Sequence, residues 1–407
     1  MLFYCKWLQV INNKMTNRQA AFKIVKRLRD EGFEALLAGG CVRDMLLGRE
    51  AKDYDVATNA RPDEVRKLFR RTLAVGAQFG VVIVLVNSGQ VEVATFRTES
   101  GYADGRHPQN VSFSNAREDA ARRDFTINGM FYDPIEDEVL DYVGGREDLG
   151  KQVLRTIGDP AERFGEDYLR LMRAVRFSAQ LGFEIESSTW QAVCAKSKFI
   201  TRISGERISM ELEKILVCQN RAEGMLKMLD SGLTGFIFKD FDGQKAFYGI
   251  KLLSGLRGNV DYMLGLAAIF CGLDTEKAVC MTDILMLSNT QRKKLEFLLE
   301  NRGILMGEVS LADMKNLLYS GFFKELLELE ISIQKANEGD LDKLDAIRSE
   351  ASKLEGTELH PQPFLNGNEL MQLGIQPGPK LGQILKEMYY SQLNEEIENK
   401  KDALEWI

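Results

Sequence analysis

In the stretch KDYDVATNA, Asp53 and Asp55 flank Tyr54 in a run that reads as a β-strand. On a strand, residues i and i+2 face the same way, so both carboxylates project together. Two like charges held that close need a cation. Hard oxygen donors of this kind suit Mg²⁺, which binds one or two carboxylates plus substrate phosphates. The plainer alternative is a solvent-facing strand edge with two acids. Upstream, Gly39 and Gly40 end a strand signal, FEALLAGG, and precede a short helical signal, CVRDMLLG. Glycines there let a phosphate approach the backbone, and a helix N-terminus offers N–H donors and a positive dipole. Arg43 and Asp44 would hold the phosphates and brace the loop; a tight strand-to-helix turn is the structural alternative. Glu92 in VEVATF is a third acid on a β-branched strand, so it is either solvent-facing or a third metal ligand or base. Two metal-holding aspartates with a third acid suit in-line nucleotidyl transfer. One metal activates an attacking 3′-hydroxyl and the other steadies the leaving pyrophosphate.

A second pattern lies at residues 166–177, EDYLRLMRAVRF. Arg170, Arg173 and Arg176 recur every third residue, with Asp167 three before the first. At helical spacing these charges are neighbours, wedged among apolar residues. Partly buried arginines are costly unless something pairs them. An i,i+3 ladder with Glu162, Glu166 and Asp167 is the purely structural reading.

The elements that must position these groups follow from pattern. Residues 16–31 predict an amphipathic helix, capped by Thr16 and ended by Gly32. RPDEVRKLFRR predicts a helix with Pro62 in its first turn. VVIVLV and VEVATF predict a hairpin across Asn-Ser-Gly-Gln. The polar, glycine-bearing segment 98–115 predicts a mobile loop, RRDFTINGMFYD a strand or helix, and DYVGGREDL a turn. From about residue 159 strand signals nearly vanish. An α/β head thus precedes a long helical remainder, with a proline-glycine hinge at HPQPFLNGNELMQLGIQPGPKLG before a final helix.

Composition narrows the class. With 407 residues, 44% apolar and 28% charged, the chain is ordinary for a soluble multidomain protein. No apolar run approaches the ~18–20 residues of a membrane span. The first fifteen residues read as a disordered leader without the features of a signal peptide, and the cytoplasm is the expected compartment. Six cysteines without a CxxC pair indicate neither a disulfide framework nor a zinc site. Only His107 and His360 are present, which excludes a multi-histidine metal centre and most Ser-His-Asp schemes. A net charge of −7 argues against a generic nucleic-acid coat but not against a local basic surface.

LLAGGCVRDMLLGREAKDYDVATNA resembles the signature of the class II tRNA nucleotidyltransferase and bacterial poly(A) polymerase family. The match continues in family order through VEVATFRT, RRDFTINGM, DYVGGREDL, RTIGDPAERFGEDYLRLMRAVRF and ISGERISMELEKIL, covering roughly residues 35–216. The resemblance implies an α+β chain. A polymerase-β-type nucleotidyltransferase head (16–158) would follow the leader (1–15), with helical neck (159–220), body (221–340) and tRNA-binding tail (341–407) after it. It implies Mg²⁺ on Asp53 and Asp55; Glu92, by its place on the neighbouring strand, completes the expected catalytic acids. It further implies nucleotide contacts from Gly40, Arg43 and Arg123 in the head, and from Asp167, Arg170, Arg173 and Arg176 in the neck. Arg122 and Arg123 could otherwise be a solvated pair before a strand. Gly39 and Asn128 join the nucleotide set, Asn128 as a ribose or triphosphate contact.

Hydrogen-bond inventory then suggests how the neck chooses a base. Cytosine and adenine each present an amino donor beside a ring-nitrogen acceptor; guanine and uracil present the reverse. Aspartate only accepts and arginine only donates, so one Asp–Arg pair matches C and A and clashes with G and U. A wrong base leaves two partly buried groups unpaired at about 1–3 kcal/mol each, a discrimination of order 10²–10⁴. Asp167 and Arg170, three apart on one helix, are the expected pair, with Arg173 and Arg176 stacking on the base or bracing it. The arginines' partner would then be the incoming nucleotide. Residues 98–110 sit where the family has a mobile loop that helps switch from CTP to ATP. The leading expectation is addition of C, C and A to tRNA 3′ ends from CTP and ATP. The alternatives are a poly(A) polymerase or A-only enzyme, and an inactive RNA-binding protein on the same scaffold.

Overall fold

The computed structural model describes residues 16–74, 80–86, 89–102, 108–241 and 243–407. Two units divide the chain: Met1–Leu212 with Asp230–Ile237, and Glu213–Leu229 with Phe238–Ile407.

The first unit opens with helix α1 (Asn17–Asp30), held at its start by a reciprocal capping box between Thr16 and Gln19. Its apolar stripe, Ala20, Ala21, Ile24, Val25 and Leu28, is buried. There follow β1 (Ala35–Ala38), α2 (Gly40–Leu46), β2 (Asp55–Thr58), α3 (Pro62–Leu68), β3 (Thr72–Leu73), β4 (Val81–Val86) and β5 (Gly89–Thr95). Next come β6 (Arg97–Tyr102), β7 (Pro108–Phe113), α4 (Ala116–Ala121), a 3₁₀ turn (Thr126–Asn128), β8 (Phe131–Asp133) and β9 (Glu138–Leu140). Seven strands form one mixed sheet in the order β3-β4-β5-β2-β1-β8-β9. The sheet buries Leu36, Ala38, Ala57, Phe96 and Phe131 against Ala116 and Ala120. Phe96 and Phe131 meet edge to face at 5.9 Å.

This register positions the acids. β2 and β5 are parallel with Val56 opposite Val93, so Asp55 and Glu92, each one residue earlier, lie side by side. Asp53 stands two residues before β2 begins and not on the strand itself.

Two expectations change. Residues 98–102 and 108–113 are not loop: β6 and β7 pair antiparallel from Arg97 opposite Phe113 to Tyr102 opposite Pro108. Backbone ladders form without a buried apolar face, so a polar, two-sided hairpin leaves little alternation to read. Its tip, 103–107, lies outside the described residues, as does the leader at 1–15. DYVGGREDL is more than a turn. Asp141 accepts the N–H groups of Val143, Gly144, Gly145 and Arg146, and thereby starts α5 (Gly145–Lys151).

After β10 (Val153–Leu154) the unit is mainly helical: α6 (Pro160–Glu166), α7 (Leu169–Leu181), the short β11 (Glu184–Ile185) paired with β10, and α8 (Ser187–Lys196). A 3₁₀ turn (Ser197–Arg202) leads to α9 (Gly205–Leu216), whose last four residues belong to the second unit; α10 (Arg221–Asp230) belongs to the second unit up to Leu229, and α11 (Leu233–Ile237) to the first. EDYLRLMRAVRF is not one helix. Asp167 is extended (φ −145°, ψ 108°) between α6 and α7.

Besides α10, the second unit contains α12 (Gly243–Gly255), α13 (Tyr262–Phe270), α14 (Thr275–Met281), α15 (Asn289–Glu300), α16 (Leu311–Tyr319), α17 (Phe323–Ala336), α18 (Asp342–Lys353), α19 (Gly367–Gln372), α20 (Pro379–Leu393) and α21 (Lys400–Trp406). α13 is buried on all sides, with α12, α15 and α17 packed around it. A separate small core of Leu365, Leu370, Met388, Ile397 and Ala403 closes the chain's end. Among the described residues no helix is long and apolar enough to cross a membrane, and the described cysteines are free.

Close approach of α12 to α13 depends on Gly249, where an added Cβ would sit 2.4 Å from the Ile269 carbonyl oxygen. Gly249→Ala should therefore destabilise by about 1–3 kcal/mol, the usual cost of overpacking. Gly382→Ala in α20, where a Cβ meets nothing within 4 Å, should be neutral or stabilising. Thermal melts of both variants check this; equal melting temperatures would contradict the packing.

Candidate nucleotide-binding cleft

A cleft of about 500 Å³ in the first unit is lined by Gly39, Gly40, Arg43, Asp55, Arg122, Arg123, Asp124, Asn128, Asp167, Leu169, Arg170, Arg173, Phe177 and Arg207. Six arginines face three aspartates, an excess of positive charge suited to a polyphosphate. The first turn of α2 opens onto it. Gly39 precedes that turn at φ +75°, and a Cβ there would lie 2.8 Å from Arg123 Nη1, so glycine is required.

At one end stand the acids. Asp55 reaches solvent, yet surrounding protein raises its pKa to about 6, with the charge of Glu92 adding, Arg123 opposing and Asp53 adding less. The three carboxylates therefore share one field, and a cation among them would relieve it. Neither Asp53 nor Glu92 lines the cleft itself. Among the described residues no three His, Cys, Asp or Glu side chains are gathered as a metal cage. Asp53 and Asp55 fit an ion that completes its shell with substrate phosphate oxygens and water.

The arginines are already paired, which corrects the expectation that a nucleotide is their missing partner. Asp124, absent from the sequence-based set, accepts from Arg173 Nε at 2.8 Å and from Asn128 Nδ2 at 3.2 Å. Burial acts to raise its pKa, but the Arg173 charge and hydrogen bond hold it well below the usual carboxylate range. Asn128 Oδ1 in turn accepts from Arg43 Nη1 at 2.7 Å, and Arg43 Nε donates to Asp44 at 2.9 Å. Asp119 does the same for Arg122 and Arg123, at 2.7 and 3.0 Å. Glu99 on β6 also binds Arg122 at 3.0 Å, tying the hairpin to the cleft wall. Arg176 departs from expectation. It does not line the cleft but is buried, ion-paired with Glu211 and laid over the Phe177 ring at 3.7 Å. Phe177 carries Arg43 and Arg173 as well, each 5.3 Å from its centroid.

Asp167 and Arg170 meet differently from an i,i+3 pair on one helix. Asp167 Oδ1 accepts the Leu169 N–H at 3.0 Å, and Oδ2 accepts from Arg207 Nη2 at 2.8 Å. Arg170 Nη1 donates to the Arg163 carbonyl at 2.9 Å and to Glu166, while Nη2 reaches the Arg122 carbonyl at 3.4 Å. One lone pair on each Asp167 oxygen remains, as do the Arg170 Nε–H and one Nη2–H. Protein bonds thus fix the orientation of both groups, and acceptors on Asp167 and donors on Arg170 remain in the lining of one cleft.

The Poly A polymerase head domain model matches residues 35–155, the "Probable RNA and SrmB-binding site of polymerase A" matches 182–244, and tRNA nucleotidyltransferase domain 2 matches 283–407. A CCA-adding enzyme of Streptococcus suis (strain 05ZYH33) is 33% identical over 406 residues, covering 97% of each chain. One from Streptococcus gordonii is 34% identical over 399 residues, covering 95% of this chain and 96% of that protein. The crystal structure of the Bacillus stearothermophilus CCA-adding enzyme in complex with CTP superposes with a TM-score of 0.79 at 28% identity, covering 96% and 97% of the two chains. The chain belongs to the CCA-adding tRNA nucleotidyltransferase family. It is an enzyme of the nucleotidyltransferase class with that family's fold, an α+β head followed by helical segments.

Several cleft residues of this nucleotidyltransferase escaped sequence reasoning. Asp124 and Phe177 lie inside quoted blocks, Arg207 lies in ISGERISMELEKIL, and Asp119, which holds two cleft arginines from outside the lining, lies just before RRDFTINGM. Nothing in local spacing says that Arg207 folds back on Asp167. Removing Asp124 leaves the half-buried Arg173 without its counter-charge, so Asp124→Ala should cost about 1–3 kcal/mol at pH 7. The folded pKa of Asp124 lies below its unfolded value. Its contribution is therefore complete above about pH 4, the ordinary aspartate range, and fades as the pH falls through the folded value. Denaturant melts of wild type and variant should converge in acid; a gap that persists or widens there would contradict the pairing.

Proposed function

We propose that this chain adds C, C and A stepwise to tRNA 3′ ends from CTP and ATP without a nucleic-acid template, by in-line transfer with release of pyrophosphate. The observation that carries the proposal is one cleft whose lining joins Asp55, in the field of Asp53 and Glu92 outside that lining, to an arginine-rich wall that includes Asp167 and Arg170. Near-full-length likeness to CCA-adding enzymes supports it.

In this reading Asp53 and Asp55 hold Mg²⁺, with Glu92 as the third acid. Bound there, divalent cations supply the charge that activates a 3′-hydroxyl and steadies the leaving pyrophosphate. Gly39 and Gly40 admit the triphosphate to the backbone, and Arg43 and Arg123 neutralise it, with Asn128 orienting Arg43. Asp167 accepts from the amino group of C or A, and Arg170 donates to the adjacent ring nitrogen. Arg173 flanks the base, and Arg176 acts from behind by fixing α7. The hairpin 97–113 serves as the lid that accompanies the change from CTP to ATP, with Glu99–Arg122 as its attachment. Head (16–158), neck (159–220), body (221–340) and tail (341–407) divide the work, the tail binding tRNA. With tRNA as substrate, the cytoplasm is the compartment we assign.

The test is to incubate the protein with Mg²⁺ and tRNA lacking its last three, two or one nucleotides, supplying each NTP singly and CTP with ATP. Addition that stops at CCA is expected. A long A-tail, or A added only to tRNA ending in CC, would replace the proposal with a poly(A) or A-only activity; no incorporation would indicate an inactive RNA-binding protein. Asp167→Ala and Arg170→Ala should each reduce the preference for CTP over UTP by about tenfold or more, the discrimination of a buried polar pair. Unchanged selectivity in both variants would remove the base-pairing role.

A further inference from the structure

A polar cavity of about 660 Å³ lies within the second unit and shares no lining residue with the nucleotide cleft. Two short segments frame it: 217–223, which joins α9 to α10, and 253–259 at the end of α12. Arg221, the first residue of α10, stands in the wall and is only 7% exposed. Its Nε donates to the Leu216 carbonyl at 3.1 Å and its Nη1 to the Leu256 carbonyl at 3.3 Å. Three of its five N–H groups remain, and among the described residues no carboxylate pairs with it. The other three buried Lys or Arg side chains among the described residues differ. Arg43 has Asp44, Arg176 has Glu211 and Lys315 has Glu395. A clamp between two carbonyls needs donors but no net charge, so the clamp by itself leaves a buried cation uncompensated. Burial lowers the Arg221 pKa, and what opposes it is the Cys218 thiol and not a carboxylate.

We infer that this cavity binds a small organic anion, a molecule with one carboxylate or phosphate head seated on Arg221 and the first turn of α10. A helix N-terminus adds N–H donors and a positive end to the guanidinium. α10 has ten residues, and its first turn, from Arg221 to Glu223, belongs to the lining. Gln219, Ser254 and Asn259 supply neutral hydrogen-bonding groups for the body of the molecule. Glu223 is the one carboxylate of the lining. It is exposed and suits an ammonium or hydroxyl group at the ligand's far end. The volume falls in the range of small-molecule sites, roughly 300–1,000 Å³. A polynucleotide is a poorer match. One cation and one carboxylate leave the lining without net charge, whereas a phosphate backbone is drawn by an excess of Lys and Arg.

The experiment is titration calorimetry of the full chain with ribose 5-phosphate and, separately, with L-glutamate, in a buffer whose only other anion is chloride. At least one probe should bind the wild type, and which one does so tells a phosphate head from a carboxylate head. In Arg221→Gln that binding should weaken by about tenfold or more, the usual worth of a hydrogen bond to a charged group. Ser254→Trp, at an exposed position of α12, fills the cavity and leaves Arg221 in place. It should remove the same binding component, and it carries the test if Arg221→Gln does not fold. Any binding of the probes at the arginine-rich cleft persists in both variants, so the difference isolates this site. Heats that are equal in the wild type and both variants, or absent with both probes, would overturn the inference. Displacement of the component lost in Ser254→Trp by tRNA lacking CCA would overturn it too, reassigning Arg221 to RNA.

Discussion

One buried carboxylate fixes how α7 meets the head. Asp124 holds Arg173 on α7, the Asn128 amide in the 3₁₀ turn, and the N–H of Phe125 at 2.9 Å. Through Asn128 the same chain of bonds reaches Arg43 in α2 and then Asp44. Three elements far apart in sequence are thereby set at one distance from the Gly39 turn. A buried ion pair is weak evidence for stability, because an apolar replacement often does as well. What it supplies here is position: guanidiniums whose rotamers are settled before any ligand arrives, which removes an ordering cost from binding.

The same logic explains why an arginine-rich helix can sit in apolar company. Each arginine of α7 spends part of its donor set on a carboxylate, Glu166, Asp124 or Glu211, and the Phe177 ring carries two of the cleft's guanidiniums, Arg43 and Arg173, together with that of the buried Arg176. The pairing is incomplete by design of the geometry. Arg170 keeps two N–H groups, and Asp167 keeps a lone pair on each oxygen. Those leftovers, and not bare charge, are the edge to which we assign discrimination of one base from another. The acids at the opposite end do the reverse: Asp53, Asp55 and Glu92 repel one another, so that end favours a cation.

Much of this was legible in sequence because its signals are local. The Thr16 capping box, the glycine pair before α2, the alternation in β4 and β5, and the DxD spacing each declare themselves within a few residues. The hairpin at 97–113 did not, since polar strands pair through backbone alone. The break at Asp167 was hidden by a helical pattern that runs across it without a proline or glycine. Arg176 looked like its neighbours, and only the fold, by setting Glu211 beside it, turns it away from the cleft. Arg207 and Asp124 were invisible for the same reason: their partners lie 40 and 49 residues away.

The central claim is that carboxylates of the protein orient the arginines which read the base. Glu166 tests it most directly, because it touches Arg170 and Arg163 but does not line the cleft. The measurement is the ratio of kcat/KM for CTP to that for UTP in Glu166→Gln. Loosening Arg170 should lower the ratio by about tenfold, the worth of roughly one buried hydrogen bond, with affinity for tRNA unchanged. A ratio equal to that of wild type would contradict the account, since Arg170 would then read the base without being held.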